Sequence, residues 1–458
     1  MDIETIVTRG LGNATHLVAA DDGDAVVVDP PRDAWRILAV AREHGWRITH
    51  VLETHVHNDY LSGALELRDT VGSEIVAPAR ARYEFPHRGV DEGDVLEVGR
   101  LRFTARGTPG HTPEHLAWEI RPSDGAGPPT AIATGGSLMI GSAGRTDLLG
   151  PATTDELTRA QYQTLRTLAA LPPSVRVLPT HGGGSFCSAG PADDRRTSTI
   201  AEEVAGNPLL APMDEETFRR TVLAGHGPYP TYYREMAPIN RGGPAVLGEV
   251  PATPFLDPEA VERAIAVGAV IIDGREREAF AAAHLPGSLN VELGDTFAST
   301  VGWHVPLGTP LVLVLPDRAA APDEARTELL RIGHDRVVGA LRDGVAAWEG
   351  SGRAAASYPV VPARAVADDQ VDGVMLDIRD PAEWRDDGTI DGALRIPLWE
   401  LRSRVDELPR DEPIILVCRS GRRAAVAASM LDAADFEVRL VGRGGVPDVL
   451  AADAGPRS

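Results

Sequence analysis

Lysine is absent from the 458-residue sequence, so all 45 basic side chains are arginine. They are outnumbered by 67 Asp and Glu, which leaves a formal net charge of −22. Nucleic acid and anionic bilayers both require a basic face, so neither is an expected partner. An anionic substrate would have to find a local cluster of arginine. Cysteine occurs only twice, as Cys187 and Cys418, in segments that read as different domains. Two thiols so placed build no disulfide framework, and each has to be judged by its own surroundings. Long apolar runs are also missing: stretches such as residues 311–315 fall far short of the roughly 20 residues that cross a bilayer. The first five residues are acidic and carry no basic or apolar leader, so the expected location is cytoplasmic.

A hydrophobic fraction of 43% with 24% charged residues is that of a folded globular chain. No single core fills this length, and three domains are expected. Up to about residue 200, short apolar strands alternate with turns and helices. Strands are expected at 25–28, 48–52, 74–77, 95–98, 101–104, 131–134 and 175–178, and helices at 34–43, 63–71 and 155–169. This alternation predicts an α/β layered domain. Residues 200–250, apart from a helix at 214–223, are rich in Pro and Gly and read as a cap and linker.

One stretch concentrates metal-binding side chains: Thr54-His55-Val56-His57-Asn58-Asp59-Tyr60, directly after the 48–52 strand. Alternate positions at a strand end share one side, so His55, His57 and Asp59 could converge on one ion. Three more loops follow strands in the same half. They are Thr108-Pro109-Gly110-His111-Thr112-Pro113-Glu114-His115, Gly144-Arg145-Thr146-Asp147, and Thr180-His181-Gly182-Gly183-Gly184-Ser185-Phe186-Cys187. Loops that end strands of one sheet share a rim, where a rigid scaffold places functional groups.

These four motifs, in this order, resemble the metallo-β-lactamase superfamily, and within it the glyoxalase II and persulfide dioxygenase branch. The resemblance covers about residues 1–245. It implies an αββα sandwich with a metal at one edge, His55 and His111 as ligands of a mononuclear Fe(II), and His57 and Asp59 as orienting or alternative ligands. It also implies that His181 is a pocket hydrogen bonder where two-metal relatives use it as a ligand. The third iron ligand of the family is an Asp at the end of the 131–134 strand. This chain has Thr134-Gly135-Gly136 there, and Tyr60 where two-metal members carry a histidine. Both departures weigh against a two-metal hydrolase, and Gly136 puts the binding of iron itself in doubt. Arg145 is the expected receiver of a substrate carboxylate, and Cys187 a candidate for redox or sulfur relay.

The remaining sequence repeats itself. Asp273-Gly274-Arg275 after one apolar strand aligns with Asp377-Ile378-Arg379 after another, Gly287 with Gly392, and the strand at 311–314 with that at 414–417. The pattern resembles tandem rhodanese domains over 252–356 and 358–458. In the second copy Cys418-Arg419-Ser420-Gly421-Arg422-Arg423 ends a strand and opens a helix, a position where inward-facing N–H groups stabilise a thiolate. Cys418 is the expected sulfur acceptor, with Arg423 beside it as the catalytic cation. Arg419, Ser420, Gly421 and Arg422 form the substrate-binding loop. The first copy has Leu315 at the cysteine position and is expected to be silent.

The expected architecture is therefore an α/β multidomain chain: residues 1–248 as an αββα domain with its cap, then two rhodanese-like α/β domains. The implied activity is oxidation of a low-molecular-weight thiol persulfide by O2 to sulfite, coupled to sulfur transfer that gives or uses thiosulfate. The alternatives are a sulfurtransferase with a metal-poor thiol-binding domain, and a metal-dependent thioester hydrolase fused to rhodanese. A homo-oligomer is expected.

Overall fold

The computed structural model describes residues 1–124, 127–190, 193–368 and 370–453, so the end of the second repeat, placed at 458, lies outside the described residues. The chain divides into two compact units, Met1–Val250 with the Leu330–Gly333 stretch, and Pro251–Leu329 with the residues from His334 on.

Two six-stranded sheets make the first unit. One runs, neighbour to neighbour, Asp2–Thr8, Asn13–Ala19, Asp24–Val28, Arg47–Leu52, Glu74–Pro78 and Arg88–Val90; the other runs Ser198–Thr199, Arg176–Pro179, Ala131–Gly135, Leu116–Pro122, Leu101–Gly107 and Val95–Val98. Side chains alternate across each strand, so Val26 and Val28 enter the core between the sheets with Phe103 and Trp118. Val27 instead faces the outer core under the helices Ala34–His44 and Ala64–Val71. The helix Pro151–Ala169 covers the opposite sheet through Leu165 and Leu168. The layers are helix, sheet, sheet, helix, the expected sandwich.

Several elements escaped the sequence. Asn13–Ala19 and Leu116–Pro122 are buried at nearly every position, so neither shows the alternation that reveals a half-exposed strand. Tyr233–Gly242 is a helix within the stretch read as cap and linker; Pro238 disguises it, while Tyr233, Met236, Ala237 and Asn240 are buried along it.

The second unit holds two five-stranded parallel sheets with one topology. Their orders are Phe255–Leu256, Val337–Leu341, Leu311–Val314, Val270–Asp273, Leu289–Asn290 and, in step, Val360–Val361, Val438–Val441, Ile414–Val417, Val374–Asp377, Leu394–Arg395. The repeated Asp-x-Arg is a turn lock: Arg275 Nη2 donates to Asp273 Oδ2 at 2.6 Å, and Arg379 Nη2 to Asp377 Oδ2 at 2.8 Å. Among the described residues no helix is long and apolar enough to cross a membrane.

Candidate metal pocket and sulfur-transfer loop

The strand Arg47–Leu52 delivers Glu53, Thr54, His55, His57 and Asp59 to one edge of the sandwich, and every one of these residues is at most 1% exposed. The loops after Leu101–Gly107 and Arg176–Pro179 bring His111 and His181 to the same place. Ring centroids of His55 lie 4.9 Å from His111 and 5.3 Å from His181. His55, His57 and His181 each offer a ligand atom within 4.8 Å of the others, and so do His111, His181 and Cys187.

The residue that organises this cluster is Asp29, which reads in the sequence only as part of a Pro-bearing turn. It follows the strand Asp24–Val28 with a left-handed φ of 50°, a conformation that costs energy and is retained where the surroundings demand it. Its carboxylate accepts the Thr54 N–H and hydroxyl, both at 2.7 Å, and the Thr180 hydroxyl. It also stands 3.3 Å from His57 Nε2, which is 3.1 Å from Glu53 Oε2. Burial pushes the Asp29 carboxyl up, but His57 and the two hydroxyls outweigh it and hold the pKa at about 2. Burial likewise disfavours a charged His57, yet Asp29 and Glu53 raise it to about 10. Burial, with His181 adding to it, lowers His111 to about 3, so that ring is a neutral donor.

Tyr60, where a second ion would need a histidine, is 1% exposed and donates to Asp29 O at 3.2 Å; its OH also lies 3.0 Å from His57 Nε2. Gly136 lacks the family carboxylate, and the His111 ring fills the space. A Cβ there would stand 2.9 Å from His111 Nε2 and nearer still to Cδ2. Neither position 60 nor position 136 therefore offers a side chain of the kind a second ion would use there. A buried nitrogen without a partner is rare in folded proteins, yet His57 Nδ1, His111 Nε2 and Asp59 Oδ1 are all partnerless among the described residues, as expected of groups arranged around a cation.

Other expected site residues have different roles. Arg145, expected to receive a substrate carboxylate, is spent: it donates to both Asp147 oxygens at 2.7 and 2.8 Å, to Phe186 O and to Gly227 O, and stacks on Tyr229. A side chain 2% exposed, with four of its five N–H donors committed and its charge paired with Asp147, is held for structure and not left open as a cation in the pocket. His115 accepts the Gly136 N–H on Nε2 and faces Thr108 Oγ1 with Nδ1, so it is a packed loop histidine. Cys187 is fully buried beside the cluster, its thiol pushed well up by burial and by Asp59, and bonded to Tyr233. Asn13, missed in the sequence, bridges Asp59 Oδ2 and His181 Nδ1 at 2.8 and 2.9 Å.

In the second unit Cys418 ends the strand Ile414–Val417 and is 1% exposed. The Gly421 N–H donates to its Sγ at 3.1 Å, and the helix Arg422–Asp432 starts immediately after. Arg423 makes a bidentate pair with Glu383 at 2.6 and 2.7 Å, while Arg419 pairs with Asp387 at 2.5 Å. Both expected anion contacts thus carry carboxylate partners, and Ser420 and Arg422 stand exposed at the loop tip. The silent copy, with Leu315 packed against the core, still reaches this loop. Its Arg277 donates to Gly442 O at 2.5 Å, and a Cβ at Gly421 would lie 3.0 Å from Arg277 Nε. Gly421 has φ +87°, and a Cβ would collide with Gly442 O. Gly421→Ala is therefore expected to cost about 1–3 kcal/mol and to slow sulfur transfer at least tenfold, read from thermal unfolding and a thiosulfate:cyanide assay.

Comparison with known proteins agrees with this fold. The metallo-beta-lactamase superfamily matches residues 7–181, and the rhodanese-like domain matches twice, at 257–351 and 363–452. A hydroxyacylglutathione hydrolase of Cereibacter sphaeroides (strain ATCC 17023) is 34% identical over 165 residues, which are 35% of this chain and 59% of that protein. One from Rhodobacter capsulatus is 33% identical over 206 residues, 43% of this chain and 74% of the relative. The crystal structure of a metallo-beta-lactamase from Staphylococcus aureus subsp. aureus COL superposes with a TM-score of 0.66 at 24% identity, covering 74% of this chain and 98% of that one, and so shares the fold.

Proposed function

The chain belongs to the metallo-beta-lactamase superfamily and carries two rhodanese-like domains behind that fold, and from this premise we propose that it oxidises a low-molecular-weight thiol persulfide to sulfite and moves sulfane sulfur on Cys418. The observation that carries the reading is the union, in one chain, of an imidazole cluster fitted to a single ion and a cradled thiol.

In the oxidation, one persulfide, one O2 and one water give the free thiol, sulfite and two protons. The S–S bond breaks, and the terminal sulfur passes four electrons to O2. A single Fe(II) held by His55, His111 and their neighbours would supply the meeting point for O2 and the substrate sulfur. The protein around it excludes water, since the whole imidazole cluster is buried. Asp29 fixes the His57 ring, and Asn13 with Asp59 fixes that of His181. In the transfer, the Cys418 thiolate attacks the outer sulfur of a persulfide, and the carrier leaves as its thiol. The new Cys418 persulfide then gives its outer sulfur to sulfite, forming thiosulfate and freeing the thiolate. The Gly421 N–H and the following helix start favour the anionic sulfur in both steps. Having both centres on one chain raises the local concentration of the shared intermediate.

A thioester hydrolase is the second reading, favoured by the named activity of the relatives. Tyr60 and Gly136 count against it, because each stands where a two-metal site needs a ligand. The test is O2 uptake with glutathione persulfide, S-lactoylglutathione hydrolysis and thiosulfate:cyanide transfer, measured side by side before and after chelation. Chelation is expected to abolish O2 uptake at least a hundredfold and to leave sulfur transfer unchanged. Absent O2 uptake with intact transfer would leave a sulfurtransferase alone, and metal-dependent thioester cleavage would replace the oxidation reading with the hydrolase.

A further inference from the structure

The hydrogen-bond network assigns the proton on each ring of the histidine cluster. Thr54 spends its one hydroxyl proton on Asp29 Oδ2, so Nδ1 of His55, 2.8 Å from the same hydroxyl oxygen, must donate to it. Asn13 gives its amide N–H to Asp59 and turns its carbonyl oxygen to His181, whose Nδ1 therefore donates as well. Nδ1 of His111 donates to Arg145 O at 2.8 Å. All three rings thus carry their proton on Nδ1, and each Nε2 presents a lone pair. Nε2 of His55 and Nε2 of His181 nevertheless face each other at 3.3 Å.

Two lone pairs at that distance repel unless an electrophile stands between them. A water donating to both would hold the nitrogens about 4.5 Å apart, given ordinary hydrogen-bond lengths. A shared metal ion about 2.05 Å from each would see them at an angle of about 107°, close to tetrahedral. His57 lies within 4.8 Å of both, and its Nδ1 has no partner among the described residues. Carboxylates stand behind the rings, Asp29 at His57 Nε2 and Asp59 at His181 Nδ1, each 3.3 Å away, the arrangement that orients imidazole ligands.

We propose that the pocket binds one divalent first-row transition-metal ion on imidazoles alone, with His181 a direct ligand beside His55 and His57, and His111, which groups with His181, drawn in from that side as the fourth. The resemblance alone assigns His181 no ligand role in a one-ion site. Here Tyr60 and Gly136 have removed the partners of a second ion, and His181 turns to the first. The negative charge that a ligating aspartate would have supplied comes from Asp29 and Asp59 behind the rings. This deepens the single-ion reading above and rests on it for the identity of the pocket, but its test is independent of persulfide chemistry.

Zn(II) and Co(II) are titrated into metal-free full-length protein, with metal analysis and visible spectra as readouts. One ion per chain is expected, with the intense visible bands of four-coordinate cobalt. His181→Ala should weaken binding at least about a hundredfold, as His55→Ala does. Asn13→Ala, which only frees the His181 ring, should cost about tenfold, and His115→Ala should stay within about threefold. Thermal unfolding of each metal-free variant reports whether it folds, and Asn13→Ala keeps the question open to test where His181→Ala does not. Two ions per chain, the pale spectrum of six-coordinate cobalt, or unaltered affinity in both His181→Ala and Asn13→Ala would overturn the proposal. Cobalt binding as described without persulfide-dependent O2 uptake by the iron form would support it and sink the dioxygenase reading instead.

Discussion

Cys418→Ser is expected to abolish thiosulfate:cyanide sulfur transfer, by at least about three orders of magnitude. A serine hydroxyl fits the volume and can still face the Gly421 N–H that now points at Sγ. It does not ionise near neutral pH and forms no bond to sulfane sulfur that a second acceptor could break. No other thiol can substitute, because Cys187 is the only other cysteine, and it is buried in the other unit. The same variant should fold normally and keep its metal content. Residual transfer above about one per cent of the unaltered rate would show that sulfur moves elsewhere than Cys418.

Asp29→Ala should be the most disruptive single change in the first unit. It leaves the Thr54 N–H, two hydroxyls and His57 without their shared acceptor, and it places alanine at a left-handed φ. Breaking a buried charged pair of this kind costs on the order of 3–5 kcal/mol, which for a unit of this size lowers the thermal midpoint by roughly 10 °C. The pair also sets a pH dependence in the metal-free protein. His57, raised to about 10, contributes stability in full below its unfolded value of about 6.5 and loses it as pH rises through 10. Asp29, depressed to about 2, contributes above about pH 4 and loses its share as pH falls toward 2. The thermal midpoint should therefore be highest between about pH 4 and 6.5 and decline toward pH 10. Asp29→Asn should flatten that decline, and an unchanged slope in Asp29→Asn would show that the His57 charge is not held by Asp29.

Much of the fold is legible because period and punctuation survive in the sequence. The run ending at Leu52 and the motif from Thr54 to Tyr60 locate one rim. The Asp-x-Arg repeat locates two copies of one sheet, since the same turn lock recurs at Arg275 and Arg379. Asn13–Ala19 and Leu116–Pro122 stay hidden because burial on both faces erases alternation. Arg145 reads as a free cation because a sequence shows a charge and not its partners; Asp147, Phe186 and Gly227 claim it only after folding.

The sequence by itself determined the chemistry available: two imidazole-bearing loops, a third opening on Thr180-His181, one cysteine opening a helix, and the absence of a carboxylate at 136 and of a histidine at 60. These are matters of residue type and local order, which chain neighbours carry. Only the tertiary structure decided how the groups are used. Asp29 and His181 meet His57 and His55 from up to 126 residues away in sequence, Asn13 reaches His181 across 168, and these hydrogen bonds choose the tautomers that leave lone pairs facing a common point. That choice depends on distances between strands of different sheets, and local sequence does not encode them.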